Sequence, residues 1–116
     1  MSRAAAEQLG RWGERRAAWW LRLHGWRILD QRVRQRAGEI DLIARRGRTT
    51  AFIEVKTRTT VAALDLAIDE YRLLRVAAAV QAVSHRDARN GDDIRIDIML
   101  IAPRSWPRHL VNVWHA

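Results

Sequence analysis

The chain has 116 residues, a formal net charge of +8 and no cysteine. The missing cysteines exclude a disulfide framework and a thiolate metal site, and no apolar run is long enough to cross a bilayer. The length predicts one domain over residues 1–116, and a charged N-terminus without a signal-peptide pattern predicts a cytoplasmic location. The basic excess favours a polyanionic partner, nucleic acid before membrane, although a surface that serves only solubility would also explain it.

The first predicted element is a helix over residues 4–24, which ends at Gly25. A helical wheel places five large apolar side chains on one broad face, which we expect to pack on the core. They are Leu9, Trp12, Trp19, Trp20 and Leu23, and Arg11, Arg15 and Arg22 share the opposite face. Stacking of the tryptophans on bases and a helix lying on a membrane surface are the alternatives. Core packing, also of Trp26, is favoured because the strands that follow offer a sheet to cover.

Three strands, a second helix and two further strands follow. The strands cover residues 26–34, 39–45 and 51–58, the helix covers 62–84, a polar loop covers 85–93, and the last strands cover 94–102 and 109–114. This α-β-β-β-α-β-β order predicts an α/β domain in which a mixed sheet of about five strands is flanked by helices.

The hairpin formed by the second and third strands has a predictable register. If Gly47 and Arg48 form a type II′ turn, Arg46 pairs with Thr49. Asp41 then lies opposite Glu54, Glu39 lies opposite Lys56, and these charged side chains share one face. The other face is apolar and is expected to be core; it carries Ile40, Leu42, Ala44, Ala51, Ile53 and Val55.

The charged face of this hairpin combines groups that suit metal-assisted chemistry. Two carboxylates that close raise each other's pKa unless a cation joins them, and oxygen ligands suit Mg²⁺ or Mn²⁺. Lys56 is the only lysine among the 21 basic residues, and it follows Glu54 by two positions. There it can hold a water or stabilise charge on a phosphate. The alternative is a cross-strand cluster of salt bridges on a solvated face.

The motifs GEIDLI (38–43) and FIEVKTR (52–58) resemble the D-x(n)-E-x-K signature of the PD-(D/E)xK nuclease superfamily. Together with GERRAAWWLRLHGWRIL (13–29) and IRIDIML (94–100), they give a fuller pattern across residues 8–101. This pattern resembles the YraN-like family of small predicted endonucleases, which are similar in fold to archaeal Holliday-junction resolvases.

The resemblance implies a role for each matching residue. Asp41 and Glu54 would bind the metal with the Val55 carbonyl, and Lys56 would be the catalytic lysine. Glu14 matches the helix acid that reaches the metal directly or through water, and an ion pair with an arginine one turn away is its alternative. Glu39 would support the site without binding the metal directly. Asp97 matches the family's late aspartate and is expected to be structural.

One position departs from the family pattern. Relatives usually carry a lysine near the start of the second long helix, where this chain has Tyr71. Arg72 or Arg75 would take over its phosphate contact. Further phosphate contacts are expected from arginines around the strands, namely Arg32, Arg34, Arg36, Arg45, Arg46, Arg48 and Arg58.

Together these features predict an Mg²⁺- or Mn²⁺-dependent endonuclease that hydrolyses phosphodiester bonds in DNA, duplex or branched. The similarity to junction resolvases implies a homodimer, and no membrane partner is expected. Two alternatives stay open: a nucleic-acid-binding module that keeps the fold without catalysis, and a protein-interaction factor whose basic surface meets an acidic partner.

Overall fold

The helices and strands follow one another in the predicted order. The computed structural model describes residues 1–36, 38–65, 76–81 and 93–113. Its elements are α1 (Arg3–Leu23), β1 (Arg27–Gln35), β2 (Gly38–Arg46), β3 (Thr49–Thr57), α2 (Val61–Asp65), β4 (Asp93–Ile101) and β5 (Arg108–Leu110). Residues 76–81 are also helical, within the second helix that the sequence predicts. Tyr71, Arg72, Arg75 and most of the polar loop predicted over 85–93 lie outside the described residues.

A five-stranded mixed sheet forms the centre of the fold, in the order β1-β2-β3-β4-β5. Neighbouring strands are antiparallel except β3 and β4, which run parallel over nine paired residues. The predicted α/β fold with a mixed sheet is therefore confirmed. In the part of the chain that the structure describes, which ends at residue 113, the last strand is shorter than predicted and covers Arg108–Leu110. Within the described residues, no helix is both long and apolar enough to cross a membrane.

The β2–β3 hairpin has the predicted register near its turn. Pairs run from Arg46 and Thr49 to Leu42 and Ile53. Gly47 has φ 62° whereas Arg48 does not have a positive φ, as a type II′ turn requires. The ladder ends at Leu42 and Ile53, so the predicted direct pairs of Asp41 with Glu54 and of Glu39 with Lys56 are not formed.

The two faces of the sheet carry separate hydrophobic clusters. On one face, the sheet contributes Leu42, Ala44, Ala51, Ile53, Met99 and Ile101 to a cluster that α1 covers. The helix adds Ala17, Ala18 and Leu21 to this cluster. The opposite face carries Val33, Ile40, Ile43, Phe52 and Ile96, which the helical residues Val76, Ala79 and Val80 cover. Ile40 therefore does not share a face with Leu42, and the predicted continuous apolar face is wrong at this position.

The side-chain alternation of β2 breaks at Asp41. The β1–β2 register pairs Gln31 with Leu42 and Val33 with Ile40, and it skips Arg32 and Asp41. Arg32 has φ 52°, which side chains other than glycine adopt rarely. A turn of the backbone into the left-handed region within a strand changes the face to which the next side chain points. Both strands are thus irregular at the same level of the sheet.

Small residues, rather than tryptophans, bring α1 onto the sheet. The buried residues of the helix are Gly13, Ala17, Ala18 and Leu21. The predicted core face is wrong in part, because Trp19 is 43% exposed and Leu23 is 63% exposed. Trp12 and Trp20 are partly buried against the first cluster, whereas Trp26 is buried as predicted. Arg11, Arg15 and Arg22 are exposed, as expected.

Gly13 marks the closest approach of α1 to β3. A Cβ built at this position would overlap Thr57 Oγ1 and would lie 2.8 Å from both Cβ and Cγ2 of the same residue. No side chain fits there without movement, since carbon atoms make optimal contact at about 3.5–4.0 Å. The next residue, Glu14, is therefore held directly beside the strands that carry the acidic motif.

Candidate functional site

Asp41 lies where β2 and β3 stop pairing. Its Oδ2 atom accepts a hydrogen bond from the Val55 backbone N–H at 2.7 Å, and the residue is only 5% exposed. Backbone N–H groups of a strand lie in the plane of the sheet and point towards the neighbouring strands. The carboxylate that binds the Val55 N–H therefore lies in the gap between β2 and β3. It is next to the peptide bond that joins Glu54 to Val55. The side chain of Asp41 thus replaces the main-chain partner that the ladder no longer supplies.

Glu54 and Lys56 lie on β3 with Phe52, on the face away from α1, because side chains alternate along a strand. Glu54 is 1% exposed and the Lys56 side chain is 14% exposed. Lys56 Nζ lies 3.6 Å from Glu54 Oε1, which is an ion pair beyond hydrogen-bond distance. Asp41 and Glu54 are therefore buried and Lys56 is half-buried, so this group is not the fully solvated salt-bridge cluster considered from the sequence.

The residues around Asp41 offer oxygen ligands of the kind that Mg²⁺ and Mn²⁺ prefer. The two carboxylates are that of Asp41, which contacts the N–H of the peptide bond that follows Glu54, and that of Glu54 itself, and Val55 contributes a backbone carbonyl. With Lys56 they carry a formal charge of −1, which a divalent cation would offset. The described residues contain no group of three or more Asp, Glu, His or Cys side chains that could hold a metal. A metal here would therefore need backbone and water ligands, as Mg²⁺ commonly does.

A cleft of about 730 Å³ opens between the N-terminal half of α1 and strands β1 to β3. Acidic and basic side chains both line it: Glu7, Glu14, Glu39 and Asp41 on one hand, and Arg11, Arg32, Arg34 and Arg58 on the other. Val55 and Thr57 also line it, whereas Glu54 and Lys56 are not among the residues that do. The structure thus places Glu14, Glu39 and Asp41 around one cleft, and the E-x-K pair faces the other side of β3.

Glu14 contacts β1 rather than its own helix. Its Oε2 atom accepts a hydrogen bond from Arg32 Nε at 2.7 Å. The alternative of an ion pair with an arginine one helical turn away is therefore wrong, because the partner comes from a strand. Arg32 has a positive φ and lies at the level of Asp41 in the β1–β2 register, so the guanidinium that reaches the helix comes from the irregular part of β1.

The predicted phosphate-binding arginines separate into two groups. Arg32, Arg34 and Arg58 line the cleft, and Arg36 does not. Arg45, Arg46 and Arg48 lie at the turn end of the hairpin, away from Asp41. Arg46 lies over the Trp26 ring at 4.6 Å and donates to the His24 carbonyl at 3.0 Å. Arg11 also lines the cleft, although it is not among the arginines predicted to bind phosphate. Its position three residues before Glu14, one turn away on the same helix, is the sequence signal that could have identified it.

Residues 13–101 match the family described as "Uncharacterised protein family UPF0102". The chain belongs to the UPF0102 family. UPF0102 proteins similar to it include those of Sphingopyxis alaskensis (69% identical, covering 98% of each chain) and Rhizorhabdus wittichii (64% identical, covering 97% of this chain and 96% of the relative). The UPF0102 protein of Caulobacter vibrioides is 41% identical over 95% of this chain and 89% of its own. The YraN-like resemblance is confirmed at this level, and the UPF0102 match contains every residue of the D-x(n)-E-x-K pattern.

This UPF0102 chain also contains a polar cluster that the sequence does not reveal. Asp97 is fully buried and accepts hydrogen bonds from His109 Nε2 at 2.7 Å, Arg95 Nη2 at 2.9 Å and the Asn112 backbone N–H at 2.8 Å. Burial raises the pKa of Asp97, but the bonds from His109, Asn112 and Arg95 together outweigh burial, so the pKa lies below its ordinary value. These contacts hold β5 and the residues after it on β4, which agrees with a structural Asp97.

Proposed function

We propose that this UPF0102 chain is a divalent-metal-dependent endonuclease that hydrolyses phosphodiester bonds in DNA. The observation that supports it best is that Asp41 and Glu54 are buried, with Lys56 half-buried beside Glu54, where the β2–β3 ladder ends. Burying charged groups costs several kcal/mol, by order of magnitude, and apolar residues of similar volume usually give a fold that is at least as stable. Stability alone therefore gives little reason for this trio, whereas chemistry on a phosphate requires such groups.

Asp41, Glu54 and the Val55 carbonyl would hold Mg²⁺ or Mn²⁺. When bound, the metal supplies a water of lowered pKa and offsets negative charge on the phosphate. The hydrogen bond from the Val55 N–H fixes the orientation of Asp41, so this carboxylate needs no rearrangement. Lys56 keeps an ammonium 3.6 Å from Glu54. As a compact point charge, it can hold a water or stabilise a phosphate oxygen where the wider guanidinium fork would not fit.

The cleft arginines would hold the DNA backbone. Arg11, Arg32, Arg34 and Arg58 line the same cleft as Asp41, and guanidinium groups bind phosphate in bidentate geometry. Glu14 fixes the Arg32 guanidinium at this cleft through their contact at 2.7 Å. A role of Glu14 at the metal would require this ion pair to open or to be bridged by water. Phosphate contacts of this kind do not read sequence, so they fit duplex and branched DNA alike.

Cleavage of labelled duplex, single-stranded and four-way-junction DNA tests the proposal, with Mg²⁺ or Mn²⁺ against EDTA. We expect metal-dependent hydrolysis that falls at least about 100-fold in Asp41→Asn, Glu54→Gln and Lys56→Met, since each removes a group that contacts the metal or the reacting phosphate. Asp93→Asn is the matched control, because it makes the same acid-to-amide change at an exposed position of β4. Cleavage that is equal in the Asp41→Asn and Asp93→Asn proteins would contradict the proposal.

Metal binding gives a second readout that does not depend on turnover. Mn²⁺ that binds the folded chain raises its melting temperature by mass action. We expect this rise in the wild-type and Asp93→Asn proteins and its loss in Asp41→Asn and Glu54→Gln. A rise of equal size in all four proteins would place the ion elsewhere.

A second candidate function is DNA binding without hydrolysis. It is favoured by one observation: Asp41 and the arginines line the cleft, whereas the side chains of Glu54 and Lys56 do not. This candidate predicts salt-dependent DNA binding that persists in Asp41→Asn, and no metal-dependent cleavage of any of the three substrates.

A further inference from the structure

Four tryptophans and one leucine form a surface along one flank of α1 in which two of the tryptophans, Trp12 and Trp20, are partly buried. It is here called the tryptophan patch: Trp12, Trp19, Trp20, Leu23 and Trp106. Trp106 comes from the loop between β4 and β5, and its ring centroid lies 5.9 Å from that of Trp20. Trp106 is 71% exposed, Leu23 63% and Trp19 43%. None of these residues lines the cleft at Asp41. The patch is therefore a second surface, separate from the candidate site.

The chain segments that carry most of the patch are strongly basic. Residues 15–29 and 98–113 contain six arginines and neither Asp nor Glu. The Arg16 guanidinium lies 5.2 Å from the Trp19 ring centroid and 5.9 Å from that of Trp12, so positive charge lies among the rings themselves. A second copy of the same patch would bring like charges together. The complementary partner is an anion that also offers flat or apolar groups.

The loop that carries Trp106 is short and stiff. It connects β4, which ends at Ile101, to β5, which begins at Arg108. The two prolines of the chain, Pro103 and Pro107, lie in this loop, and proline fixes φ near −65°. A ring presented on a rigid loop loses little conformational freedom when a ligand binds it. Trp106 is thus exposed by a restrained backbone rather than by a mobile one.

We infer that the tryptophan patch binds single-stranded nucleic acid, with bases stacked on Trp106 and Trp19 and the phosphates held by the arginines around them. Base stacking on exposed aromatic rings within a basic surface is the way in which such strands bind without sequence preference. A membrane surface fits less well, because Ala17, Ala18 and Leu21 of α1 are already buried in the core and only the flank is free to insert. This inference goes beyond the proposed hydrolysis, since the patch binds a strand whether or not the cleft cleaves it.

Fluorescence anisotropy with labelled oligo(dT) of 20 nucleotides tests the inference. The Asp41→Asn background in EDTA removes the proposed hydrolysis, so failure of the patch and failure of the nuclease proposal are distinguishable. We expect Trp106→Leu to weaken binding roughly 5- to 150-fold, since one stacked base contributes that much, and Trp106→Phe to retain most of it. Trp19→Leu should weaken binding as well. Ile94→Ala is the control, because Ile94 is 46% exposed but lies on β4, outside the patch.

Thermal melting of every variant accompanies the titrations, so loss of binding is separated from loss of folding. Equal affinities of the Trp106→Leu and Ile94→Ala proteins for oligo(dT) would overturn the inference. Two other results would also overturn it and would reassign the patch. One is loss of binding to phosphatidylglycerol vesicles in Trp106→Leu with unchanged oligo(dT) affinity. The other is a dimer in sedimentation that dissociates on the same substitution.

Discussion

Substitution of Gly13 by alanine tests whether the close approach of α1 to β3 sets the position of the helix. In Gly13→Ala, the new Cβ would lie 2.8 Å from Cβ and Cγ2 of Thr57. The new Cβ would also overlap Thr57 Oγ1. Because carbon atoms make optimal contact at about 3.5–4.0 Å, the helix or the strand has to move by at least about 1 Å. Gly10→Ala is the matched control, since a Cβ at Gly10 meets nothing within 4 Å.

Two opposing contributions determine how much each substitution changes the free energy of unfolding. Alanine is favoured over glycine in a helix interior by about 1 kcal/mol, and both variants gain this term. Only Gly13→Ala adds the cost of overpacking, which is typically about 1–3 kcal/mol. We therefore expect Gly10→Ala to raise the free energy of unfolding by up to about 1 kcal/mol. Gly13→Ala should lie about 1–3 kcal/mol below Gly10→Ala, and this difference isolates the contact with Thr57.

Urea and thermal unfolding measure both variants, with a melting-temperature gap of about 4–12 °C for a chain of this size. The double variant Gly13→Ala/Thr57→Ala removes the two outer atoms of the threonine side chain. It should therefore lose less stability than the sum of the single variants. If Gly13→Ala proves as stable as Gly10→Ala, the helix does not rest on Thr57 and the packing argument is refuted.

Three further predictions concern Asp97, the arginines and the N-cap of α1. Asp97 has a lowered pKa, so its stabilisation is present above pH about 4 and is lost as the pH falls further. Asp97→Asn should cost about 3 kcal/mol at pH 7, and urea unfolding should show this difference shrinking below about pH 4. In DNA titrations against salt, Arg34→Gln should reduce the slope of log K against log[salt] by about 0.9, whereas Arg48→Gln at the hairpin turn should not change it. Ser2 accepts the Ala5 N–H at 3.0 Å as the N-cap of α1, so Ser2→Ala should lower the free energy of unfolding by about 1 kcal/mol.

Rules that concern neighbouring residues predict the register of the hairpin correctly near its turn and fail at Asp41. The type II′ turn at Gly47 and the strict alternation after it are properties of adjacent residues, so the register from Arg46 to Leu42 was predictable. The break at Asp41 coincides with the positive φ of Arg32 and with the hydrogen bond from the Val55 N–H, which belong to two other strands. No pattern within β2 encodes either of them.

Helix periodicity identified the extent of α1 but not its buried face. Large apolar residues suggested that the tryptophans point inward, whereas the sheet accepts Gly13, Ala17 and Ala18 because small residues allow close packing. Which face is buried depends on the shape of the opposing strand, with Thr57 at the contact. For the same reason the alternative considered for Glu14, an ion pair on its own helix, is wrong, because Arg32 reaches it from β1.

Because β1 lies at an edge of the sheet, its arginines also affect self-association of the protein. In the described part of the chain β1 is an outer strand of the sheet, with β2 on one side only. An unpaired strand edge invites another molecule to add to it, and charged side chains and bulges discourage that addition. β1 has both, with Arg32 and Arg34 along it and a bulge after Ile28. Neutral substitutions in this strand therefore call for light scattering, since self-association through the edge would imitate a loss of DNA affinity.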